Sequence, residues 1–198
     1  MTRIALFGDI HDEQERLGAA LDLLDGPRFD LALLAGDVGL DPPWEAPARQ
    51  KERGAHDDSM RRTVNRVAGR LGCPVLFVPG NHDLRDAVRD LDGINCDRKV
   101  VEAAGLRIAG LGGAGPTRFG FPYEWAEDEA GAALEAMLGG GAERVDILLS
   151  HTPPVGTRLD RTRRGAHVGS PAVRDWTGRA RPRFVVCGHV HEAAGVET

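Results

Sequence analysis

Short, unbroken apolar runs are the feature of this sequence that most restricts its fold. They lie at Ile4–Phe7, Leu31–Ala35, Val75–Val78, Ile147–Leu149 and Phe184–Cys187. Runs of this kind, with no polar residue inside them, are typical of strands that are covered on both faces. Helical patterns separate the runs, so the sequence predicts an α/β fold in which helices cover a sheet.

The remaining elements are predicted from weaker patterns. Two further strands are predicted at Lys99–Val101 and Arg107–Ala109, and helices around Leu17–Leu24, over Met60–Leu71 and over Glu127–Leu138. The stretch 41–57 contains several prolines and charges without periodicity, which predicts a long loop or a partial cap. The 198 residues show no internal repeat and suit one domain, residues 1–198.

Charge and composition argue against several classes of protein. The net charge of −5 is spread along the chain, whereas proteins that bind nucleic acid polymers usually carry a basic face. No apolar stretch approaches the roughly 18 residues of a membrane span, and the N-terminal residues lack a signal-peptide pattern. The three cysteines lie far apart and form no pair motif. We therefore expect a cytoplasmic protein that contacts neither a membrane nor a nucleic acid polymer.

Polar clusters follow the predicted strands at their carboxyl ends, where α/β folds bind ligands. The clusters are Asp9-Ile10-His11, Gly36-Asp37, Gly80-Asn81-His82-Asp83, Ser150-His151 and Gly188-His189-Val190-His191. Carboxylate, amide and imidazole groups without thiolates are typical ligands of Mn, Fe, Co, Ni or Zn, and not of a structural cysteine-rich zinc site. In an extended segment, residues two apart point the same way. Asp9 and His11 can therefore bind the same ion, and so can His189 and His191.

The single carboxylate of Asp37 predicts a site for two metal ions. One carboxylate can bridge two ions and hold them about 4 Å apart, as two-metal phosphoryl chemistry requires. Two dications offset by Asp9, Asp37 and a bridging hydroxide keep about one positive charge. Such a centre attracts an anionic phosphate and stabilises the charge that develops in the transition state.

In their order and residues, these clusters resemble the calcineurin-like metallophosphoesterase family over essentially the whole chain. The stretches 105–117, 151–154 and 167–170 look like a bacterial and archaeal branch of small phosphoesterases. The resemblance implies a two-sheet α/β/β/α sandwich. It implies that one metal ion is bound by Asp9, His11, Asp37 and His191, and the other by Asp37, Asn81, His151 and His189. It also implies that His82 lies near the leaving group, with Asp83 as its orienting partner.

The reaction implied by the resemblance is hydrolysis of a phosphate ester by a metal-bridging hydroxide, without a covalent enzyme intermediate. His82 is the candidate general acid, because imidazole titrates near neutrality.

Small phosphodiesters are the preferred substrates and manganese the preferred metal. Phosphomonoesters, including phosphoproteins, are the second choice. A non-catalytic protein-binding scaffold of the same fold is the alternative class, although scaffolds typically lose ligands and this sequence has lost none. A nuclease is disfavoured by the acidic balance.

Other residues have open roles. Arg158, Arg161, Arg163 and Arg164 are candidates for a second phosphate contact, but a solvated loop is the favoured interpretation. His167 is a weaker candidate from the same loop, and His56 has no informative context. An irregular stretch, 112–125, carries Phe121, Tyr123 and Trp125, which either stack on a nucleobase or, in the favoured interpretation, pack a loop onto the core.

The C-terminal end departs from the family pattern. Similar proteins continue past the Gly-His-x-His loop with at least one more strand, whereas this sequence stops at Thr198, seven residues past His191. We therefore expect shortened C-terminal strands and a sheet edge that either pairs with another copy of the chain or is covered by a loop.

Overall fold

The computed structural model of the protein describes residues 2–41, 46–86, 90–139 and 144–197, and the side chains of all of these except 46–52. Within these residues the strands form two four-stranded sheets. The first sheet is parallel and contains β1 (Ile4–Phe7), β2 (Leu31–Ala35), β3 (Val75–Val78) and β4 (Ile94–Asn95), in that order. The second contains β5 (Val100–Ala103), β6 (Leu106–Leu111), β7 (Ile147–Ser150) and β8 (Phe184–Cys187), with only the β5–β6 pair antiparallel.

In the described part of the chain, four α-helices cover the outer faces of the sheets. They are α1 (Gln14–Leu23), α2 (Ala46–Leu71), α3 (Glu127–Leu138) and α4 (Pro171–Ala180), and a 3-10 helix follows at His191–Ala193. Helix α4 begins with a regular cap, because the Ser170 hydroxyl accepts a hydrogen bond from the Val173 amide at 3.1 Å and Pro171 takes the first helical position. None of the helices described is both long enough and apolar enough to cross a bilayer.

The apolar runs of β2, β3 and β7 are unbroken because these central strands are buried on both sides, whereas the outer strands β1 and β8 have exposed residues, contrary to expectation. Leu31, Leu33 and Ala35 of β2 face the second sheet, where they pack in one cluster with residues of β3, β6 and β7. Ala32 and Leu34 of the same strand face α1 and α2 instead. A polar residue at any of these positions would lose its hydration without gaining a partner, so the strand tolerates none.

The predicted two-sheet α/β sandwich is confirmed. Strands β1, β2, β3 and β8 have the predicted bounds, whereas β5 and β6 are shifted or longer than predicted by one to three residues. Strand β4 and helix α4 were missed. Strand β4 has only two residues, and α4 is short, with its buried residues Val173 and Trp176 on one face of a ten-residue helix.

The prediction of a loop over 41–57 is wrong from Ala46 onward, because α2 begins there and runs to Leu71. Residues 42–45 lie outside the described part of the chain. The first half of α2 is rich in Ala, Arg, Gln, Lys and Glu, which have high helix propensity but show no apolar period. Pro47 does not prevent the helix, since the first turn needs no amide hydrogen from it.

Strand β8 is the outer strand of its sheet in the part of the chain that the structure describes. Its first residue, Phe184, is 61% exposed, while every residue of its neighbour β7 is buried. Self-association through this edge stays a prediction.

Glycine is required where the ligand loops cross. A methyl group at Gly80 would fall on the carboxyl group and backbone nitrogen of Asp37, and one at Gly36 would fall on the ring of His151. Gly36 also has a φ of +91°, a conformation that residues with a side chain rarely adopt. The loops after β2, β3 and β7 can therefore approach one another only because these positions have no side chain.

We expect Gly80→Ala to lower the free energy of unfolding by about 2 kcal/mol or more, because an added methyl group forces the packed loops apart. The matched control is Gly69→Ala in α2, where an added methyl group meets no atom within 4 Å. That substitution is expected to raise the free energy of unfolding by about 0.5–1 kcal/mol, since alanine is the better helix former. Urea denaturation measures both. Equal effects of the two substitutions would contradict the close-approach explanation.

Candidate metal centre

The strands end in line, and this brings the polar clusters together. Phe7 pairs with Leu34, Ala35 with Val78, and Ser150 with Cys187, so the chain leaves neighbouring strands at nearly the same level. The residues that follow therefore meet at one edge of the two sheets. The predicted ligands that meet there are Asp9, His11, Asp37, Asn81, His151, His189 and His191.

The ligand residues themselves take the sharp turns. Asp9, His11 and Asp37 have φ values of 51°, 46° and 48°, and His189 has a φ of 72°. Asp and His are among the few residue types with side chains that enter this region at moderate cost. Such conformations concentrate at functional sites, where the surrounding structure holds them. Here Asp9 is held because both oxygens of its carboxylate accept from the His189 amide, at 2.9 and 3.0 Å.

One group of ligand atoms forms around His11. The ligand atoms of Asp9, His11 and His191 all lie within 4.8 Å of one another. His11 Nε2 is 3.3 Å from His191 Nε2 and 3.7 Å from Asp37 Oδ2. This arrangement brings together the four residues expected at the first ion.

A second group forms around the amide oxygen of Asn81. Asn81 Oδ1 is 2.8 Å from His151 Nε2 and 3.0 Å from His189 Nδ1. Asp37 Oδ2 is 3.5 Å from His151 Nε2, so one carboxylate oxygen faces both groups. The ligand atom of Asp9 also lies within 4.8 Å of those of Asp37 and His151. The two groups are therefore adjacent, and Asp37 stands between them.

The hydrogen bonds of His151 show that the second group fits a cation. His151 Nδ1 donates to the carbonyl oxygen of Ala35 at 2.8 Å, so in the neutral imidazole the proton lies on Nδ1 and Nε2 carries a lone pair. That lone pair faces Asn81 Oδ1, another acceptor, at 2.8 Å. Two acceptors that face each other beside a carboxylate lack a donor, and a bound metal ion would satisfy all three.

The pKa values of the buried groups agree with this. Burial, together with the neighbouring His151, lowers the pKa of His189 to about 3, so its imidazole is neutral, the form that binds metal. Burial alone would lower the pKa of His11 too, but the hydrogen bond to Asp41 and the charge of Asp37 outweigh it and raise the pKa to about 9. The surroundings of His11 thus favour a positive charge, which a metal ion at Nε2 would supply in place of the proton.

Asp41 is a site residue that the sequence analysis missed. One of its oxygens, Oδ1, lies 2.6 Å from His11 Nδ1 and 3.2 Å from His82 Nδ1. Both imidazoles therefore donate from Nδ1 and keep Nε2 directed elsewhere. A carboxylate behind a metal-binding histidine fixes its tautomer and ring orientation. Asp41 lies in a stretch without periodicity, so no pattern in the sequence pointed to it.

His82 lies beside the two groups of ligand atoms. Its backbone amide donates to Asp37 Oδ1 at 2.9 Å, which ties its position to the shared carboxylate. Its ring is 5.2 Å from the ring of His11. Burial alone would lower the pKa of His82, but the hydrogen bond to Asp41 and the charge of Asp37 outweigh it and raise the pKa.

The expected pairing of His82 with Asp83 is not what the structure shows, since Asp41 takes that place. The Asp83 carboxylate is buried and accepts from the backbone amides of Val38, Gly39 and Gly80, at 3.0, 3.0 and 2.8 Å. His56 Nε2, from α2, lies 3.3 Å from the same carboxylate. Asp83 therefore fastens the loops after β2 and β3 to each other and to α2. His56, to which the sequence analysis assigned no role, links α2 to the Asp83 carboxylate.

The loop after β7 matches its interpretation as a solvated loop. Arg158, Arg161, Arg163 and Arg164 lie at least partly exposed. His167 Nδ1 donates to the buried carboxylate of Asp160 at 2.7 Å, and Asp160 also accepts from the amides of Gly156, Thr157 and Gly169. Tyr123 and Trp125 are buried, as the favoured packing interpretation expected, but Phe121 lies against the ring of His82.

Comparison with known proteins agrees with this geometry. The chain belongs to the calcineurin-like phosphoesterase family, whose model matches residues 2–193. The resemblance inferred from the sequence is therefore confirmed. The family as a whole is one of metal-dependent phosphoesterases, and the ligand groups described above are candidates for its divalent metals.

Individual relatives show the fold more than the activity. The chain is 33% identical over 131 residues to the uncharacterized protein MJ1162 of Methanocaldococcus jannaschii, a match that spans 62% of this chain and 58% of the relative. The crystal structure of TT1561 of Thermus thermophilus matches with a TM-score of 0.59 at 20% identity, over 98% of this chain and 86% of that one. A second crystal structure matches with a TM-score of 0.71 at 18% identity, over 96% and 85%.

Asp37→Asn is expected to weaken metal binding in both groups at once, because the shared carboxylate loses its charge. Metal content after dialysis, measured by mass spectrometry, should fall far below that of the wild type, and turnover of an aryl phosphate ester by at least about 100-fold. His191→Ala should deplete mainly one ion, since His191 belongs only to the first group. Asp58→Asn, a change at an exposed carboxylate, is the control. An Asp37→Asn protein that retains both ions and normal turnover would contradict the shared role.

Asp83→Asn is expected to lower the free energy of unfolding by about 2–4 kcal/mol at neutral pH, because buried donors lose a charged acceptor. Burial alone would raise the pKa of Asp83, but the hydrogen bonds from His56 and the backbone amides outweigh it and lower the pKa to about 2. A depressed pKa stabilises the fold above the unfolded-state value, so the difference from the wild type should shrink as pH falls from about 4 to 2. Asp58→Asn should change stability by less than about 0.5 kcal/mol. A pH-independent difference would argue against this role of the Asp83 charge.

Proposed function

We propose that the protein hydrolyses small phosphodiesters with two divalent metal ions. The observation that carries this proposal is the meeting of acceptor groups around Asp37, above all the lone pair of His151 against the oxygen of Asn81 at 2.8 Å. One ion would be bound by Asp9, His11, Asp37 and His191, and the other by Asp37, Asn81, His151 and His189. When bound, the ions supply Lewis-acid charge for the phosphoryl oxygens and activate the attacking water.

Manganese is the metal we prefer, from a class of ions that the donor set fits. Carboxylate and amide oxygens with imidazole nitrogens, and without thiolates, suit ions of intermediate to low softness, a class that also includes Fe, Co, Ni and Zn. Within the described residues no cysteine belongs to a ligand group. The cytoplasmic location stays a prediction from the sequence.

His82 is the residue we assign to protonation of the leaving group. Asp41 accepts from Nδ1, so the Nε2 hydrogen of His82 is the one left for transfer. The hydrogen bond from the His82 amide to Asp37 keeps the imidazole beside the place where phosphate would bind. Asp41 is thus a positioning residue, in the role that had been expected of Asp83.

Charge supports diesters over monoesters. With about one net positive charge, the proposed centre matches the single negative charge of a diester. A monoester dianion would need further cations, and the candidate arginines after β7 are exposed, with Arg158 donating to the carbonyl oxygen of Glu197. A monoesterase that acts on small molecules or phosphoproteins is the second candidate. A metal-free scaffold is the third, and metal analysis together with turnover of an aryl phosphate distinguishes it from an enzyme.

We expect His82→Ala to reduce kcat/KM for diesters with alkyl leaving groups by about 100-fold or more, because an alkoxide needs a proton as it leaves. For bis-(p-nitrophenyl) phosphate the loss should stay within about tenfold, since nitrophenolate leaves without one. His167→Ala is the matched control, because His167 also donates from Nδ1 to an aspartate but lies on the exposed loop after β7. Equal losses for the two diesters would remove His82 as the acid. A wild type that prefers p-nitrophenyl phosphate would instead favour the monoesterase.

A further inference from the structure

An aromatic surface adjoins His82 at the otherwise polar centre. The ring of Phe121 lies 4.2 Å from the ring of His82, centroid to centroid, at an angle of 31°, which is close to stacking. The ring of Phe119 follows 5.9 Å from that of Phe121. Phe119 is 50% exposed, whereas Tyr123 and Trp125 from the same stretch are buried. We call Phe119 and Phe121 together the aromatic wall.

The loop that carries the aromatic wall is tied to the metal centre. The Tyr123 amide donates to the carbonyl oxygen of Asn81, a proposed metal ligand, at 3.2 Å. The amide and hydroxyl of Thr117 both donate to Glu124 Oε1, at 3.0 and 2.6 Å, and close the base of the loop. The aromatic wall therefore has a defined position relative to the metal ligands.

Phe119 is held both at its backbone and at its ring. Its backbone amide donates to the Thr117 hydroxyl at 3.1 Å, and the Arg118 guanidinium lies 4.8 Å from its ring centroid, a cation–π contact. A ring restrained in this way and still half-exposed can bind a flat group at little cost in side-chain entropy.

We propose that the aromatic wall binds the leaving group of the substrate, and that this group is a nucleoside. This inference rests on the proposed phosphodiesterase activity. The leaving oxygen lies at His82, and Phe121 touches His82, so the next group of the substrate passes along Phe121. In a nucleoside, one sugar ring separates the ester oxygen from the base. The base would thus reach Phe119, on which any of the bases can stack, because each has an aromatic face.

This placement separates nucleosides from simple aryl groups. An aryl leaving group has its ring directly on the ester oxygen, so its ring would lie at Phe121 and not at Phe119. Phe119 is therefore expected to matter for nucleoside ligands and to be nearly neutral for bis-(p-nitrophenyl) phosphate. Small polar leaving groups such as glycerol would gain nothing from either ring.

The test is a binding measurement on manganese-loaded protein that does not depend on turnover. Adenosine 5′-monophosphate and ribose 5-phosphate share the sugar phosphate and differ only by the base. We expect the nucleotide to bind about tenfold more tightly by calorimetry, as stacking on one aromatic side chain provides. Phe119→Ala should reduce this preference to less than about threefold and leave the affinity for ribose 5-phosphate unchanged. Phe119→Tyr, which keeps the ring, should preserve the preference.

Phe184→Ala is the matched control. Phe184 is also exposed and also lies under an arginine, with the Arg183 guanidinium 6.0 Å from its ring centroid, but it stands at the opposite end of β8 from the ligand loops. This substitution should leave the preference for the nucleotide intact.

The outcomes separate this inference from the proposed function. Equal affinities of the wild type for the two ligands would overturn the nucleoside subsite, and so would a preference that survives Phe119→Ala. Either result leaves the proposed function standing if bis-(p-nitrophenyl) phosphate is still hydrolysed. A preference that depends on Phe119, in a protein that hydrolyses no phosphate ester, would support the binding site and reject the activity.

Discussion

The constraint on which the rest of this structure depends is the meeting of electron-pair acceptors at one point. Carboxylate, amide and imidazole groups from five loops approach to about hydrogen-bonding distance, yet the key contact, His151 Nε2 against Asn81 Oδ1, contains no proton donor. Left without a cation, such a cluster is costly, because each group is taken out of water without a partner. Binding of a cation at the cluster would offset this cost in free energy.

The scaffold around this point is arranged to withstand that cost. Apolar strands that are buried on both faces supply the stability, and their aligned ends determine where the loops begin. The buried carboxylate of Asp83 accepts hydrogen bonds from three backbone amides and pairs with His56, and so it connects the loops after β2 and β3 to α2. Glycine is present where the ligand loops approach closely, at Gly36 and Gly80. Four of the candidate ligands adopt positive φ, namely Asp9, His11, Asp37 and His189. Strain and charge are concentrated at the site, and stability is provided elsewhere.

The site has two chemically different sides. The metal side, around Asp37, consists of polar groups that suit a phosphate. The other side begins at His82, where Asp41 holds one ring nitrogen and Phe121 covers the ring face. Phosphate chemistry alone gives no reason to place a half-exposed phenylalanine ring there, since apolar surface is of no use to an anion. The two sides together are explained by a substrate that has a charged centre and a flat leaving group.

The α/β character of the fold and the clusters of candidate ligands were predictable from local patterns in the sequence, whereas the two-sheet arrangement was implied by the resemblance to a family. A strand buried on both faces requires consecutive apolar residues, and a strand end that carries metal ligands requires glycine with Asp, Asn or His.

The partner of each side chain was decided only by the tertiary structure. Asp83 is adjacent to His82 in the chain, but its carboxylate points into the protein, where amides from another loop surround it. Asp41, far from His82 in sequence, reaches the imidazole instead. The first half of helix α2 and Phe119 escaped detection for the same physical reason. Helix propensity without an apolar face, and a ring whose position depends on a distant loop, have no periodic signature, and only the packing of the whole chain determines where they lie.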